Sequence, residues 1–328
     1  MNVLVTGASS MIGQHLVARL VVRGDVVTTL QRNAVDQPGQ SVTQVLGSIT
    51  DRAAVERACA GQDAVVHLAA KVGVTGTWGE YQQINVDGTA LLIELALTAG
   101  VSAFVHVSSP AVAHAGAALV GAAAEPADPS ATRGHYATSK AMAELLALDA
   151  TSEAMPIVAI RPHLVWGPGD TQLVGRIVDK ARQGRLALVG SGAALIDTTF
   201  VDNAADALVA GVDRAHELGG QALVVSNGEP RTVHEVVARI VAAAGIEWSP
   251  RHVPAQVAKR GGSVAEQIWH RTGRTDDPPM TSFLAEQLST AHWFDQRSTR
   301  AALQWQPSIT LDEGFARLAA WFAGGTSR

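Results

Sequence analysis

The chain has 328 residues, of which 47% are hydrophobic and 17% charged, and it carries a net charge of −5 at pH 7. The single cysteine, Cys59, excludes an internal disulfide and a cysteine-rich metal site, and the acidic balance argues against a nucleic-acid surface. No apolar run approaches the ~20 residues of a membrane span, so we expect no integral membrane segment. Because there are no disulfides to protect, we expect a cytoplasmic protein. Neither a metal nor a nucleic-acid partner is expected.

Short apolar strands alternate with helical segments through the first half of the chain. Strands are predicted at 2–5, 25–30, 41–46, 64–68, 102–107 and 157–160, and helices at 11–22, from 51, at 81–99 and at 136–149. Near-continuously hydrophobic strands separated by helices are typical of a parallel sheet covered on both faces. We therefore predict the α/β class with a doubly wound parallel sheet.

The regular alternation stops after Pro162, where a Gly167-Pro168-Gly169 turn follows. The segment 111–133 is predicted to be a loop, a strand at 221–226 to rejoin the sheet, and helices to lie at 171–182, 202–213, 233–244, 254–270, 280–288 and 311–322. We therefore assign 1–165, rejoined by about 198–228, to the sheet domain. The remaining segments, 166–197 and 229–328, are assigned to a smaller, mainly helical C-terminal lobe that binds the substrate.

A turn of small residues joins the first strand to the first helix. Backbone N–H groups at a helix N-terminus bind an anionic pyrophosphate, Gly7 permits a sharp turn, and Gly13 allows close packing of the helix on the sheet. At the middle position Ser10 replaces glycine, and its hydroxyl can bond a phosphate or cap the helix. A dinucleotide is predicted here, the alternative being a strand–helix turn of another α/β protein. The residues expected to bind it are Gly7, Ser9, Ser10, Met11, Ile12 and Gly13.

The end of the second strand decides between NAD and NADP. An acidic residue there would bond the ribose 2′-hydroxyl of NAD. This chain has Gln31-Arg32-Asn33 and no carboxylate before Asp36. Because the Arg32 guanidinium can pair with a 2′-phosphate, we favour NADP over NAD, the alternative being that Arg32 is an ordinary exposed arginine.

Tyr136 and Lys140 are four residues apart on a predicted helix, so the phenol and the ammonium share a face. A nearby cation favours phenolate, so the pKa of Tyr136 is predicted to fall below its ordinary ~10. Such a group donates and accepts protons near neutral pH. Together with a dinucleotide, the pair predicts a reductase or dehydrogenase acting on a carbonyl/alcohol pair.

Three motifs together resemble the extended short-chain dehydrogenase/reductase family, which is also described as NAD-dependent epimerase/dehydratase-like. They are Thr6-Gly7 through Gly13, Tyr136-x-x-x-Lys140 and Arg161-Pro162. The resemblance covers essentially the whole chain and implies a Rossmann fold with a substrate lobe. Within the family, the chain is most similar to the branch of 3β-hydroxysteroid dehydrogenases and 2-alkyl-3-oxoalkanoate reductases. The stretches that favour this branch are Ala70-Lys71-Val72-Gly73 through Trp78-Gly79, His292-Trp293-Phe294-Asp295 and Trp305-Gln306-Pro307.

The resemblance implies that Ser109, Tyr136 and Lys140 are the catalytic residues. Ser109 follows the strand that ends at Val107 and would hold the substrate oxygen, with Ser108 as the second candidate. Tyr136 would donate the proton, and Lys140 would lower its pKa and bond the nicotinamide ribose. The alternatives are a capping role for the serines and a chance pair on a solvated helix for the other two residues.

The resemblance also implies cofactor contacts beyond the glycine turn. They would come from Ser48, Ile49, Leu68, Ala69, Ala70, Lys71, Ser108, Tyr136, Lys140, Pro162, His163 and Leu164. Ser48 departs from the family pattern, which often has an aspartate directed toward the adenine. Asn85 is expected to be structural. His163 is expected to act through packing or its backbone rather than as a general base.

The predicted reaction is hydride transfer between nicotinamide and a secondary carbinol carbon, with Tyr136 as the acid and base. Trp78 and Trp166 lie on loops beside the cofactor segments. They are candidates for an apolar pocket that holds a hydroxysteroid or a 2-alkyl-3-oxo fatty acid, with core packing as the alternative. Further aromatic residues in the C-terminal part are Trp269, Phe283 and Trp293.

Two other functions stay open at this point. A nucleotide-sugar epimerase or dehydratase would need basic groups for a diphosphate, which Arg251, Lys259, Arg260, Arg271 and Arg274 supply. The alternative of another class is a redox sensor that binds dinucleotide without catalysis, although such proteins usually lack the tyrosine–lysine pair. A homodimer is expected through the helices at 81–99 and 136–149, because family members often pair in this way and alanine and leucine suit such packing.

Overall fold

A computed structural model of the chain describes residues 1–36, 42–73, 75–113, 116, 118–272, 278 and 280–325. The strands are β1 (Asn2–Thr6), β2 (Val26–Gln31), β3 (Val42–Leu46), β4 (Ala64–His67), β5 (Ala103–Val107), β6 (Leu119–Ala122), β7 (Ile157–Pro162), β8 (Val165–Trp166), β9 (Ala187–Val189), β10 (Leu195–Ile196), β11 (Thr199–Phe200), β12 (Ala222–Val225), β13 (Arg231–Thr232), β14 (Arg251–Val253) and β15 (His292–Phe294).

Helices connect and cover these strands. They are α1 (Met11–Arg23), α2 (Arg52–Cys59), α3 (Trp78–Tyr81), α4 (Gly88–Thr98), α5 (Gly134–Asp149), α6 (Leu173–Arg182), α7 (Val201–Asp213), α8 (Ala215–Leu218), α9 (Val233–Ala243), α10 (Ala255–Thr272), α11 (Ser282–Gln287), α12 (Arg297–Leu303) and α13 (Leu311–Ala323). A π-helical segment, Gln82–Asp87, joins α3 to α4, and a 3₁₀ turn spans Pro110–Ala113. Within the described residues, no helix combines the length and apolar composition that crossing a bilayer requires.

Seven parallel strands form the central sheet in the order β12-β7-β5-β4-β1-β2-β3. Strands β4, β5 and most of β7 are buried, because helices cover both faces. The chain leaves β1 in one direction toward β2 and returns on the other side at β4. Ligands of doubly wound sheets bind at this switch point, beyond the carboxyl ends of the strands. The predicted Rossmann fold is confirmed.

Separate apolar clusters pack on the two faces of the sheet and in the C-terminal part. Leu16 and Leu20 of α1 pack with Leu208 of α7 on one face, and Leu92 of α4 packs with Phe104 on the other. A third cluster, which includes residues from α6, α9 and α13, lies in the C-terminal part. As predicted, the strand near 221–226 rejoins the sheet, where β12 pairs with β7. The exact division between the sheet domain and the lobe stays a prediction.

Two predicted elements differ from the structure. The segment 111–133, predicted to be a loop, contains β6, which pairs in parallel with β15 at His292–Phe294. The partner strand is distant in the chain, so the local pattern of residues gives no sign of this pairing. The single helix predicted at 81–99 is divided into α3, the π-helical segment and α4.

Candidate active site

The turn after β1 requires glycine at both of its ends. Gly7 has φ of 71°, and a Cβ there would lie 2.8 Å from the backbone nitrogen of Ala69. A Cβ at Gly13 would lie 2.6 Å from the Gly7 carbonyl oxygen. The absence of side chains leaves backbone N–H groups exposed at the start of α1, so this turn fits the pyrophosphate of a dinucleotide.

Ser10 caps α1. Its hydroxyl donates to the Gly7 carbonyl at 2.9 Å and accepts from the Gly13 N–H at 3.1 Å. Of the two roles that the sequence left open for this hydroxyl, the structure shows the capping role. Ser9 is exposed beside it, and Met11 and Ile12 are partly buried.

The predicted adenosine end lies beyond β2 and β3. Arg32 is exposed directly after β2, whereas the preceding Gln31 is buried and bonded to Gln44 at 2.8 Å. The Ser48 hydroxyl bonds within its own turn to Thr50, and Ile49 is buried in the core. The contacts of these residues with a cofactor stay predictions.

The segment after β4 lies directly beside the glycine turn. The hydroxyl of Thr6 in β1 accepts from the Ala69 N–H at 3.2 Å, which fixes Leu68-Ala69-Ala70 against β1. The Asn85 side chain accepts from the Lys71 N–H at 2.6 Å and donates to the Lys71 carbonyl at 3.0 Å and to Ser139 at 2.9 Å. The prediction that Asn85 is structural is confirmed.

Ser109 and Tyr136 line one cavity at the ends of β5 and β7. Tyr136 is partly buried in the first turn of α5, and the Ala111 N–H donates to the Ser109 hydroxyl at 3.3 Å. Ser108 is buried behind Ser109, and within the described residues its hydroxyl has no hydrogen-bond partner. A bound ligand would satisfy such a hydroxyl.

The predicted fall in the pKa of Tyr136 is wrong for this structure. Burial raises the pKa of the phenol, and a hydrogen bond with Ser109 only partly opposes that shift. The Lys140 ammonium donates to the Val107 carbonyl at 2.7 Å. Burial also lowers the pKa of Lys140 to about 8, against the opposing effect of Glu144. Desolvation, which the sequence does not reveal, therefore outweighs the charge effect that was predicted.

Two neutral histidines lie beneath Lys140. His106 Nε2 is 3.4 Å from the lysine nitrogen, and the rings of His106 and His67 are 5.5 Å apart. Burial, with the charge of Lys140 as a second cause, lowers the pKa of His67 to about 3 and that of His106 well below its ordinary value. His67 is bonded to Thr6 and Thr89, so it is fixed from both ring nitrogens.

A fully buried ion pair connects the elements that carry the site residues. Arg161 Nε donates to Glu144 Oε2 at 2.8 Å, and each side chain is 1% exposed. Arg161 Nη1 also donates to the Glu125 carbonyl at 2.7 Å. The pair joins β7, α5 and the segment that precedes α5. The sequence singled out Arg161 only as part of a motif, because its partners lie 17 and 36 residues away in the chain.

The cavity has a volume of about 1410 Å³ and is lined mainly by apolar side chains. They include Trp78, Leu173, Ile177, Val233, Val236, Val237, Trp269, Phe283, Leu284 and Leu288. Pro162, His163 and Leu164 line the same cavity as Ser109. Their contacts with a cofactor stay predictions.

The prediction that Trp166 contacts substrate is wrong. Its ring is fully buried and stacks on Phe315 with 4.5 Å between centroids. The indole nitrogen donates to Thr198 at 2.9 Å. The alternative of core packing is therefore correct for Trp166, whereas Trp78 lies on the cavity wall.

The basic residues considered for a diphosphate lie away from the cavity. Arg251, Arg260 and Arg271 are exposed, and Lys259 pairs with Glu286 at 3.4 Å. None of these four is part of the described cavity wall. Arg274 lies outside the described residues. The cavity therefore offers little for a nucleotide sugar.

The sequence is similar to characterised enzymes over nearly its full length. Residues 3–225 match the NAD dependent epimerase/dehydratase family. A 2-alkyl-3-oxoalkanoate reductase of Stenotrophomonas maltophilia is 38% identical, with 98% of this chain and 99% of the relative covered. A protein of the same name from Shewanella oneidensis is 34% identical, with 97% and 86% covered. A 3-beta-hydroxysteroid dehydrogenase of Mycolicibacterium neoaurum is 28% identical, with 98% and 91% covered.

Solved structures share the fold of this chain. MoeE5 in complex with UDP-glucose and NAD superposes with a TM-score of 0.77 at 24% identity, and 100% of each chain is covered. The structure of gox2253 superposes with a TM-score of 0.78 at 22% identity, with 99% of this chain and 98% of that chain covered. At this level of identity the likeness concerns the fold alone.

Proposed function

This chain belongs to the NAD dependent epimerase/dehydratase family, the extended short-chain dehydrogenases/reductases that its motifs resemble, and we propose that it is an NADPH-dependent reductase of 2-alkyl-3-oxoalkanoic acids. The observation that carries the proposal is the large, mainly apolar cavity that Ser109 and Tyr136 line. Two relatives above 30% identity are named for this substrate class.

The broader activity follows from the family and from the relatives. The chain is an oxidoreductase that interconverts a ketone and a secondary alcohol with a nicotinamide dinucleotide. The intact tyrosine–lysine pair is what such an enzyme needs and what a non-catalytic redox sensor would not require.

The residues present fit a dinucleotide, which supplies or accepts the hydride when bound. Its pyrophosphate would be held by the turn between Gly7 and Gly13, and its nicotinamide end by the segments that follow β4, β5 and β7. These are the carboxyl ends of strands beside the switch point of the sheet, where ligands of this fold bind.

The chain's own residues supply the proton and orient the ketone. The raised pKa of Tyr136 keeps its phenol protonated at neutral pH, which suits a donor to a substrate oxygen. The Ser109 hydroxyl, bonded to that phenol, orients the same oxygen. Lys140, four residues further along α5, supplies positive charge that stabilises the phenolate left behind.

The preference for NADPH rests on the end of β2. Arg32 is exposed there, and no carboxylate occurs between the end of β2 and Asp36. A guanidinium at this position pairs with a 2′-phosphate, whereas an acidic residue would select NAD.

The size and lining of the cavity favour a substrate with long alkyl chains. Its volume of about 1410 Å³ exceeds the ~300–1,000 Å³ common for small-molecule sites, which leaves room beside a nicotinamide ring. The described cavity wall carries one arginine and one lysine, and both are already paired, Arg133 with Glu286 and Lys71 with Glu80. A hydroxysteroid is the second candidate, because the same apolar wall would accept it and a relative carries that name.

Assays in the direction of alcohol oxidation test the proposal. NADPH formation from NADP⁺ is followed with a long-chain 2-alkyl-3-hydroxyalkanoic acid and a 3β-hydroxysteroid at equal concentrations. Consumption of UDP-glucose is followed by chromatography, because an epimerase or dehydratase regenerates its dinucleotide and gives no net NADPH. We expect kcat/KM for the hydroxy acid to exceed that for the steroid at least tenfold, and no turnover of UDP-glucose. A steroid preference would transfer the assignment to the second candidate, and turnover of UDP-glucose alone would overturn both.

The Tyr136→Phe variant is the matched control for the chemistry. Loss of the assigned proton donor should lower kcat by roughly 10²–10⁴-fold, the usual contribution of general acid catalysis. Because the phenol hydroxyl is not part of the pyrophosphate turn, the dissociation constant for NADPH should change little. A variant with the wild-type rate would contradict the assigned role.

A further inference from the structure

A buried histidine–aspartate pair lies on the cavity wall just beyond β7. His163 Nδ1 hydrogen bonds with Asp197 Oδ1. The other carboxylate oxygen of Asp197 accepts from the Ser226 hydroxyl at 2.8 Å and from the Phe294 N–H at 2.9 Å. Asp197 is fully buried and both of its oxygens are bonded, so it holds the imidazole in one orientation.

Aromatic packing fixes the same ring from its sides. The His163 ring lies edge to face with Phe294 at 5.1 Å and with His292 at 5.2 Å between centroids. All three side chains line the cavity. Within the described residues His163 Nε2 has no hydrogen-bond partner, so this nitrogen is available to a ligand in the cavity.

The pair lies next to the residue that orients the reacting oxygen. Val107 of β5 is in register with Ile160 of β7, and the Ser108 N–H donates to the Ile160 carbonyl at 2.7 Å. Ser109 and His163 therefore follow the ends of neighbouring parallel strands, which run about 4.8 Å apart. In a 3-oxo acid, one carbon separates the ketone carbon from the carboxylate, so both groups can be held from these two strand ends.

We propose that His163, oriented by Asp197, binds the carboxylate of the substrate and so positions its 3-oxo group at Ser109 and Tyr136. Both ring nitrogens then donate, Nδ1 to Asp197 and Nε2 to the substrate, and an imidazolium lies between two carboxylates. This role rests on the proposed function, since it requires a substrate that is an acid. The other cations of the wall, Lys71 and Arg133, already have carboxylate partners.

From the sequence, His163 is expected to act through packing or its backbone rather than as a general base. A purely structural pair would stabilise the wall without distinguishing between an acid and its ester. The two roles therefore differ in a measurable ratio, kcat/KM for the acid divided by kcat/KM for the ester.

The test compares a 2-alkyl-3-hydroxyalkanoic acid with its methyl ester in wild type and in His163→Gln. We expect wild type to prefer the acid by roughly 10- to 100-fold, the range for loss of a charge-assisted hydrogen bond. His163→Gln should lose most of that preference, chiefly through a higher KM for the acid. Its kcat/KM for the ester should differ from that of wild type by less than threefold. Asp197→Asn should move the ratio in the same direction.

His135→Gln is the matched control, because His135 lines the same cavity beside Trp78 without a carboxylate partner among its described contacts. Its acid-to-ester ratio should equal that of wild type. The inference is overturned if wild type shows no preference for the acid, a result that needs no variant to fold. An unchanged ratio in His163→Gln, or loss of the preference in Lys71→Gln alone, would overturn it too. If wild type turns over neither compound, the proposed function fails instead.

Discussion

The charge state of Lys140 decides how the site works, because its amine is buried and has a carbonyl as its hydrogen-bond acceptor. Burial lowers the pKa of Lys140 to about 8, so the amine loses its proton far more easily than a surface lysine does. At pH 7 it is still charged and can stabilise the phenolate of Tyr136. The burial that lowers the pKa of Lys140 also destabilises the fold, because a buried charge at this position is less favourable than an apolar side chain would be.

Lys140→Met is therefore expected to stabilise the fold while removing activity. The unfolded chain binds more protons than the folded chain between pH 8 and the ordinary lysine value of ~10.5, so the cost of the buried charge is present below about pH 8 and disappears as the pH rises through that window. We expect the variant to gain roughly 1–3 kcal/mol in the free energy of unfolding at pH 7. The gain should shrink toward pH 10.

Urea unfolding of wild type and Lys140→Met at pH 7 and pH 9.5 measures this difference. Lys180→Met is a comparison, since the pKa of Lys180 is also lowered by burial, but this side chain of α6 is not part of the described cavity wall. That variant should keep full activity. A Lys140→Met chain that is less stable at both pH values would show that the bond to Val107 outweighs the desolvation.

Arg32 is the residue on which the choice of cofactor depends. Arg32→Asp would replace a cation beyond β2 with the carboxylate that favours a free ribose 2′-hydroxyl. We expect the ratio of kcat/KM for NADPH to that for NADH to fall by at least tenfold and to favour NADH. Steady-state kinetics with both cofactors measure the ratio, Arg57→Asp serving as the control on the exposed last turn of α2. An unaltered ratio in Arg32→Asp would reject the NADP assignment.

At the scale of elements, the Glu144–Arg161 pair ties α5, which carries Tyr136 and Lys140, to β7, which leads to His163. Removing one partner leaves a buried charge without compensation, which costs about 3–5 kcal/mol. We expect Glu144→Ala and Arg161→Ala each to lose that much in the free energy of unfolding. The double variant should lose clearly less than the sum.

Chemical denaturation of the wild type, both single variants and the double variant measures the four free energies of unfolding of this double-mutant cycle. The exposed pair of Arg52 and Glu94 offers a matched comparison, because exposed pairs contribute only about 0–1 kcal/mol. Additive losses in the buried cycle would mean that the two residues stabilise the fold independently.

The elements nearest the site show what local sequence can predict. The strand–turn–helix around Gly7 and the helix that carries Tyr136 follow from glycine placement and apolar periodicity, which are local properties. The pairing of β6 with β15 and the Asp197 partner of His163 depend on residues far apart in the chain. Trp166 was misplaced for the same reason, since its stacking partner Phe315 is almost 150 residues away.

At the scale of the whole molecule, apolar side chains remain exposed on the two helices that were predicted to form a dimer. Leu97 near the end of α4 is 47% exposed, and Leu145 on α5 is 42% exposed. The two helices pack against each other, so both leucines belong to one helical layer on a face of the sheet. Pairing of two such layers as a four-helix bundle would bury these side chains.

Homodimer formation is the last prediction. Burying a leucine side chain contributes about 1.5–3 kcal/mol, and each substitution occurs twice in a symmetric interface. We expect wild type to elute as a dimer, and Leu97→Arg/Leu145→Arg to elute as a monomer that remains folded by circular dichroism. Val22→Arg is the control, because Val22 is 85% exposed on α1, which lies against α7 instead. Light scattering coupled to size exclusion measures the three masses, and a wild-type monomer, or a double variant that stays dimeric, would rule out this interface.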